Sequence, residues 1–156
     1  MVMAPPRVGE RAPDFTLPRA DGTSFRLSEA VRRGVVVLYF YPKDETMGCV
    51  AEACAFRDQY EVFTEAGAQV VGVSADSAES HQQFAAHHRL PFVLLTDADG
   101  KVRKSYGVGK LLGIIDGRIT YVIDTRGIVR HVFSSRLQPT RHVAEALAVV
   151  REVAAA

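Results

Sequence analysis

No stretch of this chain approaches the roughly 18 consecutive apolar residues that a membrane-crossing helix needs, so none is expected. Excess charge of one sign is missing as well. The 19 Lys and Arg stand against 18 Asp and Glu, a net charge of +1. That balance gives no electrostatic ground for a nucleic acid or an acidic membrane as partner. Residues 1–7 contain no apolar h-region, so secretion is not expected and a cytoplasmic location is. No linker, repeat or second domain is visible. The 156 residues therefore read as one domain, 1–156, with residues 1–8 as a loose tail carrying Pro5 and Pro6. A domain of this length buries about two-thirds of its surface on folding. Cysteine is scarce: Cys49 and Cys54 are the only two, a usage that suits a reducing cytosol. Structural metal sites usually show two close pairs of Cys or His, and no second pair matches here. His87 and His88 are adjacent, so on a helix they would point in different directions. No metal and no organic cofactor are expected.

What the chain does have is strand patterns alternating with helix patterns. Residues 35–41 are all apolar or aromatic and end at Pro42, which reads as a strand buried on both faces. Tyr39 and Phe40 then point to opposite faces. Ala53, Phe56, Tyr60 and Phe63 recur at helical spacing, giving a helix over 49–66 with Thr46 as N-cap and Gly67 as closure. Glu52 and Asp58 add negative charge to its first half. Residues 15–17 and 24–27 flank Asp21-Gly22, a hairpin signal. Ser28 reads as the cap of a short helix over 29–33, ended by Gly34. A second parallel strand covers 69–74, and Ser77 opens a helix over 78–88 with Phe84 and Ala85 inward. A short strand at 92–95, a turn at 97–100 and a helix over 101–106 follow. Residues 107–117 read as an irregular surface loop; Gly107-Val108-Gly109-Lys110 fails the spacing of a phosphate loop. Strands 119–124 and 128–134 form a hairpin. A helix over 140–153 shows Val143, Leu147 and Val150 on one face. This order is α/β, a central mixed sheet flanked by helices, with an N-terminal β-hairpin.

The two thiols sit at the seam between the apolar strand and the helix. Cys49 falls in the first turn, where unpaired N–H groups and the positive end of the helix dipole favour a thiolate. Cys54 follows inside the helix. Residues five apart in a helix are separated by about 7.5 Å along its axis. Their Cα atoms are then about 8–9 Å apart, beyond the ~7 Å reach of a disulfide. The thiols cannot bond while both are helical; a bond requires the first turns to unwind. On the residues alone two readings stand: inert thiols packed as small apolar groups, or a reactive pair. Around them, Asp44-Glu45 and Lys43 read as a solvated edge. Arg57 reads as a partner of Asp58 or Glu61. His81, His87, His88, His131 and His142 share no motif and read as surface or satisfied residues.

Pro42-x-x-x-Thr46-x-x-Cys49 resembles the active-site signature of the peroxiredoxins, thiol peroxidases on a thioredoxin-like fold. The strings Phe40-Tyr41-Pro42-Lys43-Asp44-Glu45-Thr46, Gly48-Cys49 and Ala53-Cys54-Ala55-Phe56-Arg57-Asp58 are similar to the Q-type subfamily, also called bacterioferritin comigratory protein. So are Gly9-Glu10-Arg11-Ala12-Pro13-Asp14-Phe15-Thr16-Leu17, Val71-Gly72-Val73-Ser74, Leu90-Pro91-Phe92 and Gly117-Arg118-Ile119-Thr120-Tyr121-Val122-Ile123-Asp124. The likeness covers about residues 7–152. Two positions depart from the pattern: Met47 stands where the family usually has Pro, and Val50 where it often has Thr. Losing that proline is expected to loosen the loop that carries Cys49.

The resemblance implies a thioredoxin-like fold and a set of roles. Cys49 would be the peroxidatic cysteine, oxidised by hydrogen peroxide or a small organic hydroperoxide to a sulfenic acid. Arg118 and the Thr46 hydroxyl would hold the thiolate and hydrogen-bond the peroxide. Pro42 would shield the sulfenic acid. Cys54 would be the resolving cysteine, forming an intramolecular Cys49–Cys54 disulfide that a thioredoxin-like reductant reopens. An intramolecular bond fits a monomer. Two rival readings are a thiol–disulfide exchange protein, although C-x-x-x-x-C replaces the usual C-x-x-C, and a redox sensor without peroxidase turnover.

Overall fold

The apolar run that starts at Val35 becomes the centre of the sheet. The computed structural model describes residues 5–108, 110–111, 115–116, 118–134 and 138–155. In chain order its elements are β1 (Thr16–Pro18), β2 (Ser24–Arg26), α1 (Leu27–Ala30), β3 (Val35–Phe40), α2 (Met47–Asp58), α3 (Tyr60–Glu65), β4 (Ala68–Ser74), α4 (Ala78–His88), β5 (Val93–Thr96), α5 (Lys101–Ser105), β6 (Lys110–Leu111), β7 (Ile115–Asp116), β8 (Ile119–Ile123), β9 (Val129–Ser134) and α6 (Pro139–Ala155). Five strands form one mixed sheet in the order β5-β4-β3-β8-β9. β3 pairs parallel with β4 and antiparallel with β8. β1 and β2 form the expected N-terminal hairpin.

Every residue of β3 is buried, and its side chains divide by period two. Val36, Leu38 and Phe40 join the core on one face with Phe15, Phe25, Leu27 and Tyr106. Val35, Val37, Tyr39 and Tyr41 join the core on the other face with Cys49, Phe56, Phe63, Phe84 and Val143. Tyr39 and Phe40 therefore diverge as the pleat requires, and Tyr39 shares its core with Cys49. Burying each such aromatic side chain stabilises the fold by roughly 1.5–3 kcal/mol. α6 presents Val143 and Val150 to this second core, with Leu147 partly buried beside them.

Several boundaries differ from the sequence reading, each for a local reason. The helix read over 49–66 is two helices, because the backbone at Gln59 leaves the helical region (φ −101°, ψ 5°) within the polar run Arg57-Asp58-Gln59. Hydrogen bonds from Gln59 N to Ala55 O (3.2 Å) and from Phe63 N to Gln59 O (3.0 Å) tie Gln59 to the helix on either side. Phe56 and Phe63 consequently keep one face, with rings 5.7 Å apart. Gly67 closes α3 with φ +82°, a left-handed conformation that glycine adopts without steric cost. α1 starts at Leu27, and Ser28 lies inside it rather than capping it. The Ser28 N–H donates instead to Asp14 Oδ1 at 2.9 Å. α4 behaves as expected: the Ser77 side chain accepts from Ser80 N. The part of the tail described here is tied down. Pro6 is buried, and Gly9 N donates to Val129 O at 2.8 Å; residues 1–4 lie outside the described residues. The segment read as an irregular loop contains a short antiparallel pairing of β6 with β7. Gly109, residues 112–114 and Gly117 lie outside the described residues.

Candidate active site

β3 ends at Phe40, and α2 begins at Met47. The six residues between them carry the chain across the end of the sheet and deliver Cys49 to the first turn of α2. The register explains what meets it there. Phe40 pairs with Ile119 across the antiparallel β3–β8 ladder. One step further along that register, Arg118 lies opposite Tyr41, beside the departing loop. Its Nη2 donates to Cys49 Sγ at 3.4 Å, and its Nη1 donates to Glu52 Oε1 at 2.6 Å. Cys49 is 1% exposed, Arg118 5% and Glu52 0%. The sulfur is thus enclosed, with a cation against it. Gly48 stands over the guanidinium: a Cβ there would lie 3.1 Å from Arg118 Nη2.

Glu52 is one helical turn beyond Cys49 and shares its face. Burial pushes its carboxyl up to about 8, against the pull of Arg118. Burial works against the charge of Arg118, but Glu52 and Cys49 outweigh it and raise its pKa. His142 Nδ1 stands 3.7 Å from the second Glu52 oxygen and shares a 2.7 Å hydrogen bond with Thr120 Oγ1. Glu52 was read from sequence as a charge for the helix start. It is the carboxyl partner of Arg118.

The loop before α2 is pinned from below. Asp44, read as part of a solvated edge, is 4% exposed. Its carboxylate accepts from Tyr41 Oη (2.6 Å) and Ser80 Oγ (2.9 Å) and meets His81 Nδ1 at 2.7 Å. The other His81 nitrogen meets Leu95 O at 3.0 Å. Asp44 N donates to Asp76 Oδ2 at 2.8 Å. A buried carboxylate needs such partners, which is why Asp44 turns inward. Glu45, next in the chain, stays outside and adopts φ +63°. His87 Nδ1 lies 2.7 Å from one Glu45 oxygen and His88 Nε2 lies 2.5 Å from the other. The two imidazoles therefore converge instead of diverging. They use different ring nitrogens at the end of α4, which spans the angle between adjacent helical positions.

The remaining expected site residues fall as follows. Thr46 occupies the N-cap position of α2 with extended backbone, but its side chain makes no cap hydrogen bond. Its hydroxyl donates to Lys43 O at 2.8 Å, bracing the loop. Pro42 is half-buried beside Tyr41. Met47, at the position where proline is usual, is the first residue of α2 and is 90% exposed. Cys54 lies five residues beyond Cys49 in the same unbroken helix, partly exposed, and both thiols are free. Arg57 pairs with Asp58, not Glu61, at 3.0 Å.

Residues 8–132 match the model of the AhpC/TSA family. The chain belongs to the AhpC/TSA family. Membership makes it a thiol-dependent peroxidase, an oxidoreductase. It is 48% identical over 146 residues to peroxiredoxin Q, chloroplastic, of Oryza sativa subsp. japonica, a match covering 93% of this chain and 67% of that one. The Arabidopsis thaliana peroxiredoxin Q, chloroplastic, is 46% identical over 148 residues, covering 94% and 68%. Among solved structures, peroxidoxin BcpB of Mycobacterium tuberculosis superposes with a TM-score of 0.88 at 41% identity, covering 95% of this chain and 98% of that one. Peroxiredoxin Q of Xanthomonas campestris gives 0.82 at 29% identity, covering 90% and 91%. The fold is the thioredoxin-like fold of these peroxiredoxins. No helix among the described residues is long and apolar enough to cross a membrane.

Proposed function

We propose that this AhpC/TSA protein reduces hydrogen peroxide and small organic hydroperoxides through Cys49 and closes an intramolecular Cys49–Cys54 disulfide. The Cys49 thiolate attacks one peroxide oxygen. The O–O bond breaks, the second oxygen leaves as water or an alcohol after taking a proton, and Cys49 becomes a sulfenic acid. Negative charge spreads over sulfur and two oxygens in that step. Arg118 is the fixed donor against which it develops. From the same loop the Thr46 hydroxyl would hydrogen-bond the thiolate and the peroxide, and Pro42 would shield the sulfenic acid. The Cys54 thiol then attacks the Cys49 sulfur, water leaves, and the disulfide forms. A dithiol protein of the thioredoxin type reopens it by exchange, becoming oxidised in turn. The site of action is the reducing cytoplasm, and the working form is a monomer, because both sulfurs belong to one chain.

One observation carries this reading: the Arg118 guanidinium 3.4 Å from a buried thiol in the first turn of a helix. An inert core thiol needs no buried cation beside it. The disulfide step adds a requirement, since α2 is continuous through both cysteines and its first turns must unwind. The test is peroxide consumption coupled to thioredoxin. Cys49→Ser abolishes it. Cys54→Ser permits one oxidation per chain and then stops. Normal turnover by Cys54→Ser would assign resolution to another thiol; full activity of Cys49→Ser would end the proposal.

A further inference from the structure

The cluster of Glu45, His87 and His88 has no part in the chemistry above. Each offers one ligand atom, and the three atoms lie within 4.8 Å of one another. Two imidazole nitrogens and a carboxylate oxygen form a donor set suited to zinc, with remaining positions left to water. The exposure suits entry of an ion: the Glu45 side chain is 46% exposed and that of His87 67%. His88 is the most enclosed, at 17%. Its ring packs edge-on to Phe84 at 5.2 Å, which fixes its direction. His87 and His88 end α4, whereas Glu45 sits on the loop two residues before α2. Glu45 holds φ +63°, a conformation disfavoured for a side chain larger than glycine. The two imidazoles are what it reaches from that conformation.

We propose that Glu45, His87 and His88 form a binding site for a divalent cation of the zinc class, and that the bound ion braces the Cys49 loop against α4. In the apo chain the carboxylate meets the imidazoles through hydrogen bonds that break readily at the surface. A metal replaces them with ligand bonds joining an element that must move to one that does not. The unwinding that brings Cys54 to Cys49 then has to break that joint. Zinc would therefore slow disulfide formation and prolong the sulfenic acid.

Calorimetric titration with zinc chloride tests the site. Thiolates also bind zinc, so the titrated chain is the full-length Cys49→Ser/Cys54→Ser variant. About one zinc per chain is expected, weakened roughly tenfold or more by adding His87→Ala or Glu45→Gln. Absence of binding, or equal affinity in the His87→Ala chain, overturns the site. Amide exchange in the same thiol-free background reads the brace: zinc should slow exchange across residues 43–50, and should not do so with His87→Ala. Unchanged exchange overturns the brace. In the chain with both thiols, zinc should slow Cys49–Cys54 disulfide formation, and His87→Ala should abolish that slowing. Equal slowing in both chains would place the ion on the thiols and overturn the brace. This last measurement rests on the disulfide proposed above. A zinc-free chain that never forms that bond counts against the disulfide, while calorimetry and exchange decide the site without it.

Discussion

One guanidinium serves two acids in the pocket, and that ratio governs its charge. Arg118 contacts both Cys49 and Glu52 in a space nearly closed to water. A buried site of one cation and two anions is costly, so one acid keeps its proton. Burial raises the Glu52 carboxyl to about 8, so Glu52 holds its proton more strongly than an ordinary carboxyl. Arg118→Ala should slow the reaction of reduced protein with peroxide by about 10²–10³-fold, the cost of losing one fixed donor to a developing anion. Stopped-flow measurement of the first oxidation checks this; an unchanged rate removes Arg118 from the chemistry. Glu52 also imposes a pH dependence on stability. Its folded pKa lies above the ordinary carboxyl value of 4.5, so the native state holds a proton that the unfolded chain releases. The contribution is fully present below pH 4.5, and stability falls as pH rises from there towards about 8. The slope is at most about 1.4 kcal/mol per pH unit. Glu52→Gln should flatten that decline in denaturant titrations at a series of pH values; parallel profiles would contradict it. The sequence held a trace of this residue, three positions after Cys49 on one helix face. Charge near a helix start has a commoner explanation, and burial is a tertiary fact.

At the scale of elements, a fixed scaffold meets the helix start that the proposed disulfide would unwind. The loop from Tyr41 to Thr46 is held by Asp44, which Tyr41, Ser80 and His81 surround, while Asp76 accepts the Asp44 N–H. Removing one partner of a buried hydrogen bond leaves the other unsatisfied. His81→Leu should therefore cost about 1–3 kcal/mol of unfolding free energy, read as a lowered midpoint in urea. A loss below about 0.5 kcal/mol would mean that Asp44 finds other partners. Strands and helices with strong periodicity were legible: the central strand, the Ser77-capped helix and both hairpins follow from local pattern. The break at Gln59 was not, because Phe56 and Phe63 keep a helical spacing across it. The inward turn of Asp44 was not legible either. Nothing near it in sequence announces His81, 37 residues away.

At the scale of the whole molecule, the sheet is what assembles the site. Arg118 reaches Cys49 across 69 residues because β8 runs antiparallel beside β3 in a register that ends next to the Cys49 loop. Strand order and register come from packing both faces of β3, and local sequence does not encode them. Arg118 was accessible to sequence reading only through the resemblance of its strand to a family pattern. The same assembly places Cys54 on the helix that carries Cys49, so oxidation should be resolved within one chain. The most direct test is mass spectrometry of the reduced protein after one equivalent of hydrogen peroxide. The account predicts a single chain lighter by two hydrogens and a peptide linking Cys49 to Cys54. A link between two chains, or oxidised Cys49 beside an untouched Cys54 thiol, would contradict it.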